Sequence, residues 1–355
     1  MKDDHASAPD LGKPAGVRQH VAIFKSGFRG VGRAYRNPTR LIPAVFALVV
    51  LLIGSVTGGA WFLQDRIDSR IERLSSAFPA GAGRPAQADG LRILVLGKDW
   101  GTETAAHGRS DAIMLLDVAR DRSSVSAISF PRDAWVDIPG HGKRKINSAL
   151  PIGGPPLAVE TIENLTGARI DHVAMIDGAG FSALTDAIGG VVVEVPETVH
   201  DDARGVTWTA GEHHLDGEQA LDYVGQRYGL PMGDLDRVRR QQNFLRALMV
   251  TTIGESTLTD PRALFRVMDA AADALEIDDQ WSIGEIRDLA ISLRNLDMTD
   301  LSFTTVPVAG LDDAEGQSIV RLDESAGQEL WRAMREGRTR DWIRENYADP
   351  PGRVP

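Results

Sequence analysis

Cysteine is absent from the 355-residue chain. That excludes a disulfide framework, a thiolate metal site and a thiol nucleophile. Internal repeats and low-complexity blocks are missing as well. No helix-turn-helix pattern occurs in residues 1–40, so nothing there marks a sequence-reading nucleic-acid domain. Ser110 and Ser148 have no evident histidine partner to activate a hydroxyl nucleophile. Charged residues are missing from one long stretch, LIPAVFALVVLLIGSVTGGAWFL at residues 41–63.

That stretch is long enough to cross the roughly 30 Å hydrocarbon core of a bilayer as a helix. Arg40 and Arg66 flank it, and Trp61 sits near its outer end as interfacial aromatics do. A cleaved signal peptide fits poorly, because the run starts forty residues late and is too long. Residues 1–40 carry eight Lys/Arg against three Asp/Glu, a net of +5, so the rest of a chain of net −11 carries −16. A basic arm before one span predicts that the arm stays in the cytoplasm and the acidic body lies outside. The expectation is therefore a cell-membrane protein, single-pass and type II, whose one span acts as a signal-anchor. The arm is read as setting topology and touching anionic lipid rather than as binding nucleic acid.

Residues 64–90 read as a helical stub and an Ala/Gly/Pro linker, AFPAGAGRPAQADG. From residue 91 the pattern alternates. Strand-like runs occupy 92–97, 112–118, 124–130, 170–177, 190–196 and 301–308. Helical patterns fall at 157–166, 178–188, 217–228, 234–254, 260–275, 282–294 and 324–336. Several strands are apolar at consecutive positions, as strands covered on both faces are. The expectation is an α/β/α layered domain at 91–340, with a disordered tail at 341–355.

Polar islands punctuate this pattern. Asp99 leaves the first strand, and Arg109 and Asp111 enter the second in GRSD. FPRDAWVDIPGHGKRKINSA places Arg132 and Asp133 past the end of a strand, where α/β sheets bind ligands, and continues to Lys143, Arg144 and Lys145. Arg227 ends the EQALDYVGQRYG helix. In GDLDRVRRQQ, Asp234 or Asp236 can cap a helix. Arg237 and Gln241, four apart, share a face near its amino terminus, which favours bound phosphate. Two carboxylates able to hold a hard divalent cation, with several arginines able to fork onto phosphate oxygens, are equipment for a diphosphate. His213 and His214 are adjacent without spaced partners and read as turn residues. His141 reads equally as a turn residue or as part of an acceptor side.

Taken in order, these islands resemble the LytR–CpsA–Psr (LCP) family of cell-wall phosphotransferases. The pieces that carry the resemblance include LVLGKD, GRSDAIMLLDV, ISFPRDAWVDIPGHGKRKINSAL, LTDAIGGVVVEVP and RYGLPMGDLDRVRRQQ, over residues 91–250. The resemblance implies a three-layer LCP-type domain with a central mixed sheet, preceded by one transmembrane helix. It implies a Mg2+-dependent enzyme that moves a glycopolymer from a polyprenyl-pyrophosphate carrier, whose tail lies between sheet and helices, to peptidoglycan through a phosphodiester. By the same resemblance Asp99 and Asp111 are metal ligands, and Arg109, Arg132, Arg227, Arg237 and Gln241 bind pyrophosphate. Asp99, Arg109, Asp111, Arg132 and Arg227 are its catalytic set. Asp99 is the first candidate for the base, with Asp234 behind it.

Two positions depart from the family pattern. Gly225 stands where a first arginine of a Y-x-R-x-R pair is common, and Trp100 and Gly101 stand where an arginine often follows the first aspartate. Gly225 favours an alternative, a non-catalytic polyprenyl-phosphate binder or wall-assembly scaffold. Retention of both acids favours the enzyme.

Overall fold

Strands apolar at consecutive positions must be covered on both faces, and the chain meets that demand with helices on each side. The computed structural model describes residues 70–81, 83–87, 89–98, 109–253, 269–270, 272–293, 296 and 298–347. The expected arm at 1–40, span at 41–63 and most of the helix at 260–275 lie outside them, as does Asp99. Among the described residues no helix is long and apolar enough to cross a membrane.

The strands in chain order are β1 Glu72–Leu74, β2 Leu91–Lys98, β3 Ser110–Val118, β4 Val125–Phe130, β5 Trp135–Ile138, β6 Gly142–Lys145, β7 His172–Ile176 and β8 Val191–Val195. They continue as β9 Val199–Asp201, β10 Val206–Trp208, β11 Gly211–Leu215, β12 Leu275–Asp278, β13 Leu301–Thr305, β14 Val308–Ala314 and β15 Gln317–Leu322. The helices are α1 Ala149–Thr166, α2 Gly178–Ala187, α3 Gly217–Gly225, α4 Asp234–Ile253, α5 Ile283–Leu293, α6 Glu324–Arg335 and α7 Thr339–Asn346.

Seven strands form the central sheet in the order β1-β12-β7-β2-β3-β4-β13. It is mixed: β2 is antiparallel to β3 and parallel to β7, β3 is antiparallel to β4, and β4 is parallel to β13. Alternation along each strand sorts the core into two layers. Ile93, Val125, Ala127, Ala174 and Phe303 pack with α2, α3, α4 and α5 on one face. Leu94, Leu96, Leu115, Ile128 and Phe130 pack with α1, α6 and α7 on the other, where Trp331 stacks on Phe130 at 5.9 Å.

The differences from expectation have local causes. Helix α1 starts at Ala149 rather than 157, but it is kinked at Gly153 and Gly154 ahead of Pro155 and Pro156. Neither proline has an N–H to continue the ladder. The expected linker is tied down: β1 pairs with β12, and Arg84 grips the buried Glu163 at 2.7 and 3.0 Å. The helix expected at 260–275 gives way at its last residue to β12, Leu275–Asp278, antiparallel to β7. The tail expected from 341 lies partly in α7, whose Trp342 and Ile343 are buried on the sheet. Residues 348–355 lie outside the described ones.

Helix α7 is anchored through charge. Arg92 is 1% exposed, its Nε lies 3.2 Å from Asp117, and Nη2 donates to the carbonyl of Met334 at 2.9 Å. The hydroxyl of Thr339 donates to the other oxygen of Asp117. Burial pushes the Asp117 carboxyl above its ordinary range, against the pull of Arg92 and Thr339. Removing one partner of such a pair strands the other charge. Asp117→Ala should destabilise the domain by about 3–5 kcal/mol in denaturant unfolding. A loss below about 1 kcal/mol, the value of an exposed pair, would contradict this anchor.

Candidate functional site

The antiparallel runs of β2, β3 and β4 bring the end of β2, the start of β3 and the end of β4 to one edge of the sheet. Lys98 is opposite Ser110, and Ile113 is opposite Phe130. Asp111 therefore sits beside the loop that carries Arg132 two residues past β4. Helix α4 is held against the same edge by the buried Gln242. Its amide donates to Ser129 Oγ and the Thr304 carbonyl at 3.0 Å, and to Thr305 Oγ1 at 3.3 Å. That anchor places Arg237 and Gln241, on the neighbouring turns, over the start of β3.

The charged groups then interlock. Arg132 donates through Nη1 to Asp111. Its Nε lies 3.6 Å from Asp234 and 3.9 Å from Asp133. Asp234 is ion-paired with Arg237 one turn along α4, and Lys145 on β6 closes on Asp133 at 3.0 Å. The amide of Gln241 points to the carbonyl of Asp111 at 3.5 Å. Arg237 is 2% exposed. Its Nε and Nη2, the Nε of Arg132 and both carboxylate oxygens of Asp234 are buried without a hydrogen-bond partner. The pairs are close in charge but not aligned as hydrogen bonds. The cluster thus holds strong donors with unused capacity, which a phosphate oxygen can take.

Protonation follows from that burial. Burial pushes the Asp234 carboxyl above its usual range, against the pull of Arg237. Burial likewise lowers the pKa of Arg237, although Asp234 opposes the change. For Arg132 burial also works against the charge, but the pairing with Asp111 and the nearby Asp133 and Asp234 raises its pKa overall.

The expected site residues divide into three groups. Asp111, Arg132, Arg237 and Gln241 meet in this cluster. Arg109 is exposed just before β3, and Arg227 lies after α3, where it stacks over the Tyr228 ring at 5.3 Å. Asp99 is outside the described residues. Helix α3 ends at Gly225 rather than 228, and the Gly225 carbonyl accepts from Arg204 at 3.2 Å. Arg239 pairs with Asp236, and Arg144 donates to the His141 carbonyl at the β5–β6 turn, so neither joins the cluster. His213 and His214 bond the carbonyls of Thr209 and Gly189.

Two supports have roles the sequence did not assign them, and a third, Gln242, carried no signal in the sequence. Lys145 joins the cluster, Asp234 bridges it rather than capping α4, and Gln242 docks the helix. A further buried network steadies the turn carrying Arg227: Arg240 lies over Tyr223 at 4.6 Å and donates to Gln226, whose amide donates to the Tyr228 carbonyl. A 410 Å³ cavity lies at the opposite end of the sheet, lined by Asp117, Arg120, Ser124, Arg338 and Thr339, away from this constellation.

The model of the LytR_cpsA_psr family matches residues 66–336. The chain belongs to this family. It is 30% identical over 330 residues to the cell wall biosynthesis protein LcpA of Corynebacterium glutamicum, a match spanning 79% of this chain and 62% of LcpA. Against the polyisoprenyl-teichoic acid–peptidoglycan teichoic acid transferase TagU of Enterococcus faecalis it is 29% identical, over 84% of this chain and 96% of TagU. The structure of TagT bound to LI-WTA superposes with a TM-score of 0.59 at 26% identity, covering 73% of this chain and 98% of TagT. The chain spans 62% and 54% of the two corynebacterial relatives LcpA and LcpB that it matches.

Proposed function

We propose that this LytR_cpsA_psr protein transfers a glycopolymer from a polyprenyl-pyrophosphate carrier to peptidoglycan, forming a phosphodiester during cell-wall assembly. One observation carries the reading: Arg132 and Arg237 converge on Asp234 with buried N–H groups that make no aligned hydrogen bond. Family membership supports it, as do the substrates in the name of TagU and the LI-WTA bound by TagT.

In this reaction an acceptor hydroxyl attacks the phosphorus that carries the glycan. A new P–O bond forms, the bridging P–O bond breaks, the hydroxyl proton passes to a general base and polyprenyl monophosphate leaves. Charge in such a transfer spreads over the non-bridging oxygens, so positioning and electrostatics do most of the work. Arg132 and Arg237 hold those oxygens, and Arg109, Arg227 and Gln241 are assigned as further donors. Supplying lipid-linked glycopolymer and peptidoglycan to the detergent-solubilised full chain should yield covalently attached glycan and free polyprenyl monophosphate. Gly225, which lacks a guanidinium, favours the second reading of a non-catalytic carrier-binding scaffold. Tight binding of the lipid with no transfer would support that reading and overturn the first.

Asp99 and Asp111 are assigned to a magnesium ion. The donor chemistry fits, because magnesium takes one or two carboxylates and completes its shell with phosphates and water. Among the described residues no three His, Asp or Glu side chains group closely enough to hold a metal, so the assignment depends on Asp99. When bound, the ion neutralises charge on the phosphate oxygens. Magnesium with pyrophosphate should raise the thermal midpoint of the full chain beyond pyrophosphate added without it. Asp111→Asn should lose that increment; an unchanged increment would remove Asp111 from the metal site.

The topology belongs to the same proposal: residues 1–40 cytoplasmic, 41–63 spanning, and the domain outside the cell membrane as a type II single-pass protein. A reporter fused after Pro355 that works solely outside the cytoplasm should be active. Activity of a cytosol-restricted reporter there would contradict the orientation.

A further inference from the structure

Asp234 opens α4, where a carboxylate commonly turns to the free N–H groups of the first turn. Here neither carboxylate oxygen accepts an aligned hydrogen bond, and Oδ1 faces the Arg237 guanidinium instead of the helix N–H groups. The neighbouring Asp236 accepts the N–H of Met232 at 2.7 Å instead. Asp234 is 10% exposed, and it stands between two guanidiniums from different parts of the fold. Arg237 approaches along the helix, and Arg132 approaches from the loop after β4. Left without it, two cations in a poorly solvated edge would repel each other and separate. Arg132 would stay with Asp111, while Arg237, almost wholly buried, would lose its counter-charge. The shared carboxylate is what holds the two forks at a set spacing.

We propose that Asp234 is a positioning residue that fixes the separation of the Arg132 and Arg237 guanidiniums, so that the pair grips two linked phosphates together and a single phosphate poorly. This rests on the diphosphate reading above and adds a specificity to it. The lipid that arrives carries a diphosphate and the lipid that departs carries a monophosphate. A spacing tuned to the first favours capture of substrate and release of product at the same arginines.

The test is a ratio. Inorganic pyrophosphate and orthophosphate are titrated calorimetrically into the full chain in detergent at fixed magnesium and ionic strength. The wild-type protein should prefer pyrophosphate by about tenfold or more, the worth of one added charge-assisted contact. Asp234→Asn should bring the ratio close to unity by losing pyrophosphate affinity, and Asp234→Glu, which keeps the charge on a longer arm, should fall between. A carboxylate that merely stabilised the fold would weaken both anions alike and leave the ratio intact. Circular dichroism establishes which variants are folded, and the Glu variant carries the test if the Asn variant does not fold. A folded variant with the wild-type ratio overturns the positioning role. A wild-type protein without preference overturns the diphosphate reading itself.

Discussion

Arg132 and Arg237 are drawn away from water at the edge of a sheet whose two faces are already covered, and a charge in that position needs an anion beside it. Asp111, Asp133 and Asp234 supply three, and Lys145 joins the two arginines to balance them. The loop after β4, the start of β3, strand β6 and the first turn of α4 are each held where this pairing requires. Gln242, bonded to Ser129, Thr304 and Thr305, fixes the helix from the uncharged side.

A balanced cluster has a consequence for any polyanion that enters it. A diphosphate adds negative charge to acids already present, so binding gains if a cation arrives with it and draws carboxylate charge to itself. Asp111, which now occupies Arg132, is the group whose engagement by a cation would free a guanidinium for phosphate. The assignment of magnesium to Asp111 and Asp99 and the assignment of phosphate to the arginines therefore support each other electrostatically. The buried Arg92–Asp117–Thr339 set at the opposite end of the sheet uses the same materials differently. There the carboxylate is hydrogen-bonded and the guanidinium reaches a helix carbonyl, so the group secures α7.

Much of this was legible in the sequence because the determining signals are local. Runs such as RILVLG and AIMLLDV read as doubly covered strands, and β2 and β3 contain them. The polar islands at the ends of successive strands and helices bring Asp111, Arg132, Arg237 and Gln241 into one reading. What escaped depends on tertiary pairing. The helical periodicity of 260–275 runs up to LEID at 275–278, and partnership with β7 sets that segment as a strand. Glu72–Leu74 is too short to read as a strand without β12 beside it. Asp234 follows Gly233 at a helix start and satisfies the pattern of a cap, so its pairing with Arg132, about a hundred residues away in the chain, left no local trace. Trp342 and Ile343 fall in the stretch read as a disordered tail, because the surface that buries them belongs to the distant sheet.

The proposed function puts phosphate chemistry where Arg132 and Arg237 converge, and not in the 410 Å³ cavity bordered by Arg120, Arg338 and Arg340 at the other end of the sheet. A crystal structure of the protein with pyrophosphate and magnesium decides between the two places. The diphosphate should lie in contact with both Arg132 and Arg237, with the Asp111 carboxylate turned to the cation. A diphosphate seated among Arg120, Arg338 and Arg340, with Arg132 and Arg237 still closed on their carboxylates, would contradict it.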